Sequence, residues 1–324
     1  MKAVMMGGKT SMKHNKGRRY WCNLARFTVF VAVIGALLGT LAFGVWLARA
    51  RAMGLVHPGR SQPAHTPADR GVDRWEEVRF DTPDDLQLAG WFVPPDPQSD
   101  GAILIFVHGL GGNREEFLDE ATMLAGHGYG ALLFDLRSHG QSAGTISTLG
   151  YTEVDDVRGA VAYLLTRSEV NPERIGLVGS SMGGAVAIRA AARIPEIRTV
   201  VAQSAFSSLE ENVQQGTRAL TGLPLPLAPL VIWFGEREAG IRLRQVRPID
   251  DVGRIAPRAI MFIHGEQDPV VDMSNSLRLY EATREPKALV LIPNAGHGGL
   301  MDADPQEYER RVVGFLDAHM RMGR

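Results

Sequence analysis

The chain has 324 residues, of which 45% are hydrophobic and 22% charged, proportions typical of a globular protein with a substantial core. The net charge of −1 is unevenly distributed: residues 1–51 contain nine lysines and arginines and no acid, so the remainder carries −10. An acidic body of this kind argues against nucleic-acid binding. The single cysteine, Cys22, excludes an intrachain disulfide.

An uncharged segment of 22 residues, 27–48, follows a basic N-terminal tail at residues 1–26. A helix of this length spans a hydrocarbon core of roughly 30 Å, and Trp21 and Trp46 lie near its two ends, where interfacial aromatic residues are enriched. A cleavable signal peptide is the alternative, but its apolar region is usually only about 7–15 residues long. We therefore predict an uncleaved transmembrane signal anchor.

The basic residues around this segment predict its orientation. Seven lysines and arginines precede the segment and two follow it closely. Because positively charged flanks remain on the cytoplasmic side, we expect a cytoplasmic N-terminus and an extracytoplasmic body. In a bacterium the body would lie on the periplasmic side of the inner membrane.

The remaining residues divide into a linker and one large domain. Residues 49–74 contain three prolines and three glycines without apolar periodicity, which predicts a linker. In residues 75–324 strand-like and helix-like segments alternate, which predicts one α/β domain with a mostly parallel, doubly wound sheet. Residues 206–255 interrupt the alternation without a clear strand and predict a cap insertion. The predicted strands are 75–80, 86–93, 102–107, 131–134, 175–178, 199–203, 259–263 and 288–292. The predicted helices are 114–126, 152–166, 182–193, 274–283 and 305–320.

Ser181 is the central residue of a G-x-S-x-G motif, residues 179–183, between a predicted strand and a predicted helix. In this context the motif is typical of a nucleophile elbow, a sharp turn that raises one serine hydroxyl above the sheet edge. The glycines relieve the steric crowding that a β-carbon would cause in so tight a turn. A purely structural turn is the alternative, because the five letters alone also occur by chance.

An acid and a histidine follow later strands of the predicted sheet. In open α/β sheets, active groups collect at the carboxyl ends of the strands. Asp268 follows the seventh predicted strand, and His297 lies in a glycine-flanked loop after the eighth. We expect Ser181 to attack a carbonyl, His297 to take and return its proton, and Asp268 to orient the imidazole. Glu266 and Asp272 remain rival acids.

The glycine-rich loop 108–113 follows the third predicted strand. We expect the backbone N–H of Leu110 to join that of Met182 in binding a developing oxyanion. His108 is expected to pack and hydrogen-bond within the loop rather than to act as a base. The loop 135–142 is expected to be structural, because the catalytic roles are filled elsewhere.

Several segments resemble, in family order, the α/β-hydrolases of the serine aminopeptidase-like branch, close to the single-pass ABHD-type hydrolases. They include FVHGLGGNR, LLFDLRSHGQSAG, IGLVGSSMGG, HGEQDPVV and NAGH, and with the linking segments they cover most of residues 75–324. The order Ser181, Asp268, His297 is that of this fold. The resemblance implies a hydrolase of esters, thioesters or amides that needs no metal and no cofactor. One departure is Ser138, where the family usually has glycine.

We therefore expect a membrane-anchored serine hydrolase that cleaves carboxylic esters or related acyl bonds of a small-molecule or lipid-like substrate. A serine aminopeptidase or amidase on the same triad is one alternative, and a catalytically inactive, membrane-tethered binding protein is another. Peroxidase-type chemistry stays open, whereas a dehalogenase would need a carboxylate in place of Ser181. The apolar segment 220–234 is expected to form either a lid that admits acyl chains or a cap that packs on the core.

Overall fold

The computed structural model describes residues 11–320, with side-chain environments from residue 18 onward. The first ten residues of the predicted basic tail, 1–10, lie outside this range. The chain forms two compact units, which divide between Ala48 and Arg49. We describe each unit separately.

Helix α1, Ser11–Val56, makes up the described part of the first unit, and its last turns belong to the second. The segment Arg18–Val56 contains a window with a mean hydropathy of 2.3 and is long and apolar enough to cross a membrane. The helix is longer than the predicted span 27–48 at both ends. Because the flanking residues contain no proline before Pro58, nothing in the backbone chemistry ends the helix at the edge of the apolar segment.

Residues 49–74, predicted as a linker, carry more structure than that prediction implies. Their first turns complete α1, which ends at Val56. The following residues 57–66, which we call the strap, have no helix or strand but hydrogen-bond to other parts of the second unit. For example, the Ser61 hydroxyl donates to the carbonyl of Gly111 over 3.1 Å. Proline and glycine content predicted the irregular backbone correctly, but composition carries no information about such tertiary hydrogen bonds.

The second unit contains an eight-stranded sheet with the order β1-β2-β4-β3-β5-β6-β7-β8. The pairs β1–β2 and β2–β4 are antiparallel, and every other neighbouring pair is parallel. The mostly parallel sheet predicted from the alternation is therefore confirmed. The strands are β1 Glu76–Asp81, β2 Gln87–Val93, β3 Ile103–Val107, β4 Gly130–Phe134, β5 Ile175–Ser180, β6 Ile197–Gln203, β7 Ala259–Gly265 and β8 Lys287–Ile292.

Helices cover both faces of the sheet because successive strand residues point to opposite sides. On one face, alternate residues such as Phe106 and Leu133 join a buried cluster with side chains of α2 and α10. On the other face, Phe134 packs against Phe80, whose ring stacks on Tyr163 of α3 with 5.6 Å between ring centroids. The helices outside the insertion are α2 Leu118–Gly126, α3 Glu153–Leu164, α4 Met182–Ala191, α8 Ser274–Ala282, α9 Leu300–Ala303 and α10 Pro305–Met320.

The insertion predicted at 206–255 is helical and, as described, contains no strand. Its two longer helices each end at a glycine in the left-handed conformation, Gly222 with φ 72° and Gly240 with φ 69°. Short 3₁₀ turns connect the helices. The helices of this insertion, which we call the cap, are α5 Leu209–Thr221, α6 Ala228–Ala239 and α7 Pro248–Asp251.

The strand register brings the carboxyl ends of the central strands side by side. Gly179 in β5 pairs with Val107 in β3, and Gly265 in β7 pairs with Ile292 in β8. The loops that follow these strands carry the residues singled out from the sequence. Parallel pairing in this register therefore gathers them at one edge of the sheet.

Candidate active site

Ser181 occupies a sharp turn between β5 and α4, with φ 54° and ψ −117°. This positive φ is unusual for a residue with a side chain. The turn is possible because both motif glycines lie in close contact with backbone: a β-carbon on Gly183 would overlap the carbonyl of Val107, and one on Gly179 would overlap the carbonyl of Gly183. The Ser181 amide donates to the carbonyl of Gln203 over 2.8 Å, which fixes the turn. The local geometry is that of a nucleophile elbow.

Three of the residues predicted from the sequence form one hydrogen-bonded chain. His297 Nε2 lies 2.8 Å from Ser181 Oγ, and His297 Nδ1 lies 2.7 Å from Asp268 Oδ2. Both distances are within the range in which a base can act on a hydroxyl and a carboxylate can orient that base. The three side chains come from loops separated by up to 116 residues in the sequence.

The two rival acids have other positions. Glu266 is exposed at the end of β7. Asp272 lies just before α8, where its Oδ1 accepts from the backbone N–H of Ser274 over 2.9 Å. Within the described residues, Asp268 is the carboxylate that hydrogen-bonds to His297.

Asp268 is held as a carboxylate by several donors. Its Oδ1 accepts the backbone N–H groups of Val270 and Val271 over 2.8 and 2.9 Å. Burial opposes its ionisation, but hydrogen bonds from His264 and His297 outweigh this cost and lower the pKa of Asp268 well below its ordinary range. The side chain therefore keeps its negative charge across the physiological pH range.

His264, near the end of β7, is a second histidine in contact with Asp268. Its Nδ1 lies 2.7 Å from the Ser276 hydroxyl, and its Nε2 lies 2.8 Å from the carbonyl of Val271 and 3.3 Å from Asp268 Oδ2. His264 therefore contacts the same carboxylate oxygen, Oδ2, as His297. This contact was not predicted from the sequence, although His264 and Asp268 are only four residues apart.

The predicted oxyanion donors flank the elbow. Met182 is the first residue of α4, and Leu110 lies in the loop after β3. Over residues 11–320, neither amide has a backbone acceptor. His108 is buried, which lowers its pKa to about 3, and its Nε2 accepts from the amide of Leu136 over 3.0 Å. His108 is thus a neutral acceptor that fixes the loop, as expected from the sequence.

Glu116 holds the same loop from its other side and was not anticipated. Its two carboxylate oxygens accept from the amide of Gly109 over 3.0 and 3.2 Å. Burial raises the pKa of Glu116, and hydrogen bonds from Gly109 and Ser180 oppose this shift. Because solvent reaches the side chain through the adjacent pocket, the effect of burial is weakened.

The loop 135–142 is structural, as expected. Asp135 Oδ1 accepts from the amide of Arg114, and its Oδ2 accepts from the amide of Gln141, each over 2.8 Å. Arg137 forms buried hydrogen bonds with Asp156 over 2.7–2.9 Å. These bonds tie β4 to the neighbouring elements and leave the loop no evident chemical task.

Ser181 opens into a pocket of about 440 Å³. One part of its lining is apolar and comes from the end of α1, the cap and the loops, and includes Leu55, Leu220 and Val270. The other part is polar and contains the carboxyl groups of Glu116 and Glu120. Burial, together with the nearby charges of Glu116, Asp119 and Asp302, raises the pKa of Glu120 to about 7.

A family profile for the alpha/beta hydrolases matches residues 104–311. The chain belongs to the alpha/beta hydrolase family. It is 30% identical to the uncharacterized protein YfhR of Escherichia coli K12 over 254 residues, which cover 76% of this chain and 82% of YfhR. It is also 29% identical to the uncharacterized protein Rv2307c of Mycobacterium tuberculosis over 292 residues, or 90% of this chain and 92% of Rv2307c.

A solved structure shows the same fold in an enzyme of this type. The esterase Pf2001 of Pyrococcus furiosus has a TM-score of 0.69 and 29% identity, covering 82% of this chain and 98% of the esterase. As an alpha/beta hydrolase with such a neighbour, the chain is a hydrolase. In residues 11–320 of this hydrolase, no group of three His, Cys, Asp or Glu side chains is arranged to hold a metal ion.

Proposed function

We propose that this alpha/beta hydrolase is a membrane-anchored serine esterase, with Ser181 as nucleophile, His297 as general base and Asp268 as its orienting acid. The observation that carries the proposal is the hydrogen-bonded chain through these three residues, which ends at a serine on a strained turn. A serine hydroxyl is a weak nucleophile at neutral pH, so a base at 2.8 Å is the feature that activation requires.

The proposed reaction proceeds through an acyl-enzyme. Ser181 Oγ attacks the ester carbonyl while its proton passes to His297 Nε2, and the amides of Leu110 and Met182 stabilise the oxyanion. Collapse of this intermediate breaks the C–O bond, and the departing alkoxide takes the proton from His297. Water then repeats the sequence on the acyl-enzyme, which releases the acid and restores the serine.

The esterase neighbour supports ester hydrolysis, because the esterase Pf2001 shares 29% identity over nearly its whole length. The apolar part of the pocket wall, including Leu220 of the cap, supports an acyl group as the bound portion. The helical span Arg18–Val56 supports membrane anchoring. The seven basic residues before residue 27, against two close behind residue 48, support a cytoplasmic N-terminus with the enzyme on the other side.

A serine aminopeptidase is the second candidate, and the acidic part of the pocket favours it. Glu116 and Glu120 line the same pocket as Ser181. An α-ammonium group next to the scissile carbonyl would be attracted by these carboxylates. An aminopeptidase would therefore use the same triad, and the two carboxylates would bind the ammonium group beside the scissile carbonyl.

Fluorophosphonate labelling of the full-length protein in detergent micelles tests the proposed nucleophile. We expect the wild type to label and Ser181→Ala to lose labelling completely, since the reagent needs an activated serine. His297→Ala should slow labelling by roughly 10³-fold or more. His319→Ala, on α10, is the matched control and should label at the wild-type rate. A folded wild type that does not label would favour the inactive binding protein instead.

Paired substrates separate the two candidates. An esterase hydrolyses p-nitrophenyl butyrate well and leucine p-nitroanilide poorly, and the aminopeptidase shows the reverse order. Under the aminopeptidase hypothesis, Glu120→Gln lowers kcat/KM for the p-nitroanilide by roughly tenfold, because an uncharged amide attracts the ammonium group less. Under the esterase hypothesis, the same substitution changes butyrate hydrolysis by less than about threefold.

A further inference from the structure

The last turn of the long apolar helix reaches into the pocket. Leu55, at the penultimate position of α1, lines the same cavity as Ser181 and His297. From this contact we propose that residues following the membrane span form part of the acyl site, so that the enzyme takes a neutral acyl ester directly from the bilayer. The proposal rests on the serine esterase function and the membrane anchor described above.

Leu55 is held in place by its neighbours. Ala52 is completely buried and Val56 is 1% exposed, which anchors the inner side of the last helical turn in the second unit. The carbonyl of Val56 accepts the amide of Ser147 over 2.8 Å. The Leu55 side chain, only partly buried, is thus presented to the pocket by a fixed backbone.

His57, the first residue after α1, connects the end of this helix to the cap. His57 Nδ1 lies 2.6 Å from the carbonyl of Thr145, and its Nε2 lies 2.7 Å from Glu238 on α6. Both partners are acceptors, so an imidazolium that donates from both nitrogens fits the site best. Hydrogen bonding to Glu238 and to the carbonyl of Thr145 accordingly raises the pKa of His57.

The length of chain between the membrane span and the pocket limits their separation. Seven residues lead from Ala48, the last residue of the apolar segment, to Leu55. Even if fully extended they would span no more than about 25 Å, and as a helix about 10 Å. An interfacial layer is roughly 5–8 Å deep on each side of the hydrocarbon core. The predicted membrane span and the pocket wall are therefore joined by a chain segment of at most about 25 Å.

The cap supplies a second, independent reason to expect contact with lipid. Leu220, near the end of α5, lines the pocket together with Leu55. On the outside of the cap, Leu225 is 54% exposed and Trp233 is 52% exposed. Tryptophan is favoured at membrane interfaces because its ring is apolar and its N–H can remain hydrated. The element that forms one wall of the pocket therefore also carries apolar side chains suited to an interface.

The charged side chains of the pocket restrict the charge that the alcohol part of the substrate can carry. Glu116 and Glu120 line it, and as described it contains no lysine or arginine. A phosphate close to the scissile ester would find no lysine or arginine to pair with in this lining, and the ionised fraction of the two carboxyl groups would repel it. The expected substrate is thus an acyl ester, carried in a membrane, whose alcohol part bears no phosphate or other anionic group.

The test uses the full-length protein in phosphatidylcholine vesicles and two neutral substrates, 4-methylumbelliferyl oleate in the bilayer and 4-methylumbelliferyl acetate in water. The readout is the ratio of the two hydrolysis rates, long chain over short. We expect Leu55→Ser to lower this ratio fivefold to tenfold, because an apolar contact with the long chain is lost. The conservative variant Leu55→Met should keep most of the wild-type ratio. Leu165→Ser, at a leucine that is 47% exposed after α3, is the matched control and should leave the ratio unchanged.

A second comparison tests the head group in the same vesicles. Release of oleate from 1-oleoylglycerol should be at least tenfold faster than from 1-oleoylglycerol 3-phosphate, because only the second carries a phosphate near the ester. Equal rates on these two lipids, or a ratio that Leu55→Ser does not change, would overturn the inference. Failure of the serine esterase itself is recognised separately, since the wild type would then neither label with fluorophosphonate nor hydrolyse the acetate.

Discussion

Among single residues, Ser181 combines backbone strain with close packing. Its φ of 54° is maintained because α4 approaches β5 at Gly179 and the end of β3 at Gly183, with only hydrogen atoms on the two glycines between the backbones. Strain of this kind persists only where the surrounding structure over-determines the conformation. The two glycines are therefore requirements of the turn, independent of any chemistry at the serine.

Replacing one of these glycines should destabilise the protein. In Gly183→Ala the new methyl group would overlap the carbonyl of Val107, so we expect a loss of about 1–3 kcal/mol and a Tm lower by several degrees. Gly314→Ala, inside α10 with no heavy atom within 4 Å of the new β-carbon, should instead gain up to about 1 kcal/mol. Thermal unfolding of both variants in detergent checks the prediction, which is wrong if the two shifts have the same sign.

The choice among three acids can be tested directly. Asp268→Asn should lower kcat by roughly 10³- to 10⁴-fold, because the amide does not stabilise an imidazolium and favours the wrong tautomer of His297. Asp272→Asn and Glu266→Gln should retain activity within about threefold, since neither side chain hydrogen-bonds to His297 in the described structure. Steady-state kinetics on a p-nitrophenyl ester measures all three. A larger loss in either control than in Asp268→Asn would reassign the acid.

Some residues of the candidate site could be predicted from the sequence and others could not. Ser181 and His297 stand in short motifs whose chemistry depends on their own side chains, so the motif sufficed to predict them. Glu116 lacks such a motif: it acts by accepting the amide of Gly109 and is separated from it by a turn. Leu55 lies on a different element altogether. Contacts made across the fold are not encoded in local spacing, and these two were missed for that reason.

At the level of secondary-structure elements, the strap changes the role of the segment after the membrane helix. Glu115 accepts from the amide of Ala64 and lies 2.6 Å from His65 Nδ1. Asn113 donates to Ser61 over 3.2 Å, so the loop with Leu110 is bounded by strap contacts. The strap therefore supports the loop that carries one of the proposed oxyanion donors.

Loosening the strap should be visible as faster proteolysis. Arg60 donates to the carbonyl of Ser142 over 2.7 Å and is a potential trypsin site. In Glu115→Ala the strap loses two hydrogen-bond acceptors, so it should detach more often from the loop that it contacts. Because trypsin cleaves the detached strap, we expect cleavage after Arg60 to be roughly fivefold faster. Glu173→Ala, whose side chain is 80% exposed, is the control. Mass spectrometry of timed digests gives the rates, and equal rates would mean that Glu115 does not hold the strap.

All eight strands were predicted from the sequence to within two residues at each end. The parallel strands were recognisable as short apolar segments between turn residues, and β1 and β2 as two strands around a turn. The segment 57–66 could not be predicted in this way. Its composition is that of a linker, and its fixed position depends on polar groups of loops far away in the sequence. Burial in a core leaves a pattern in the local sequence, whereas a surface segment held by hydrogen bonds leaves none.

For the molecule as a whole, the carboxyl groups of the pocket couple stability to pH. The pKa of Glu120 is raised from 4.5 to about 7. Between these two pH values Glu120 is therefore mostly protonated in the folded state and mostly ionised in the unfolded state. Stability contributed by this group therefore falls as pH rises from about 4.5 to 7. Glu120→Gln removes the penalty, and its stability gain over the wild type should grow by about 1–2 kcal/mol between pH 5.5 and 8. Tm values in detergent at both pH values test this; a gain independent of pH would contradict it.

The charge distribution along the chain predicts the orientation of the enzyme in the membrane. Seven basic residues precede the span 27–48 and two follow it closely, so the flank before the span is the one expected to stay in the cytoplasm. We expect alkaline phosphatase fused after Arg324 to be active and a green fluorescent protein fused there to be dark in a bacterial host. Replacing the seven basic residues by glutamine should reduce the phosphatase activity, because the charge difference that orients the helix is then reversed. A fluorescent C-terminal fusion in intact cells would show that the body faces the cytoplasm, and the bilayer-derived substrate would then have to come from the inner leaflet.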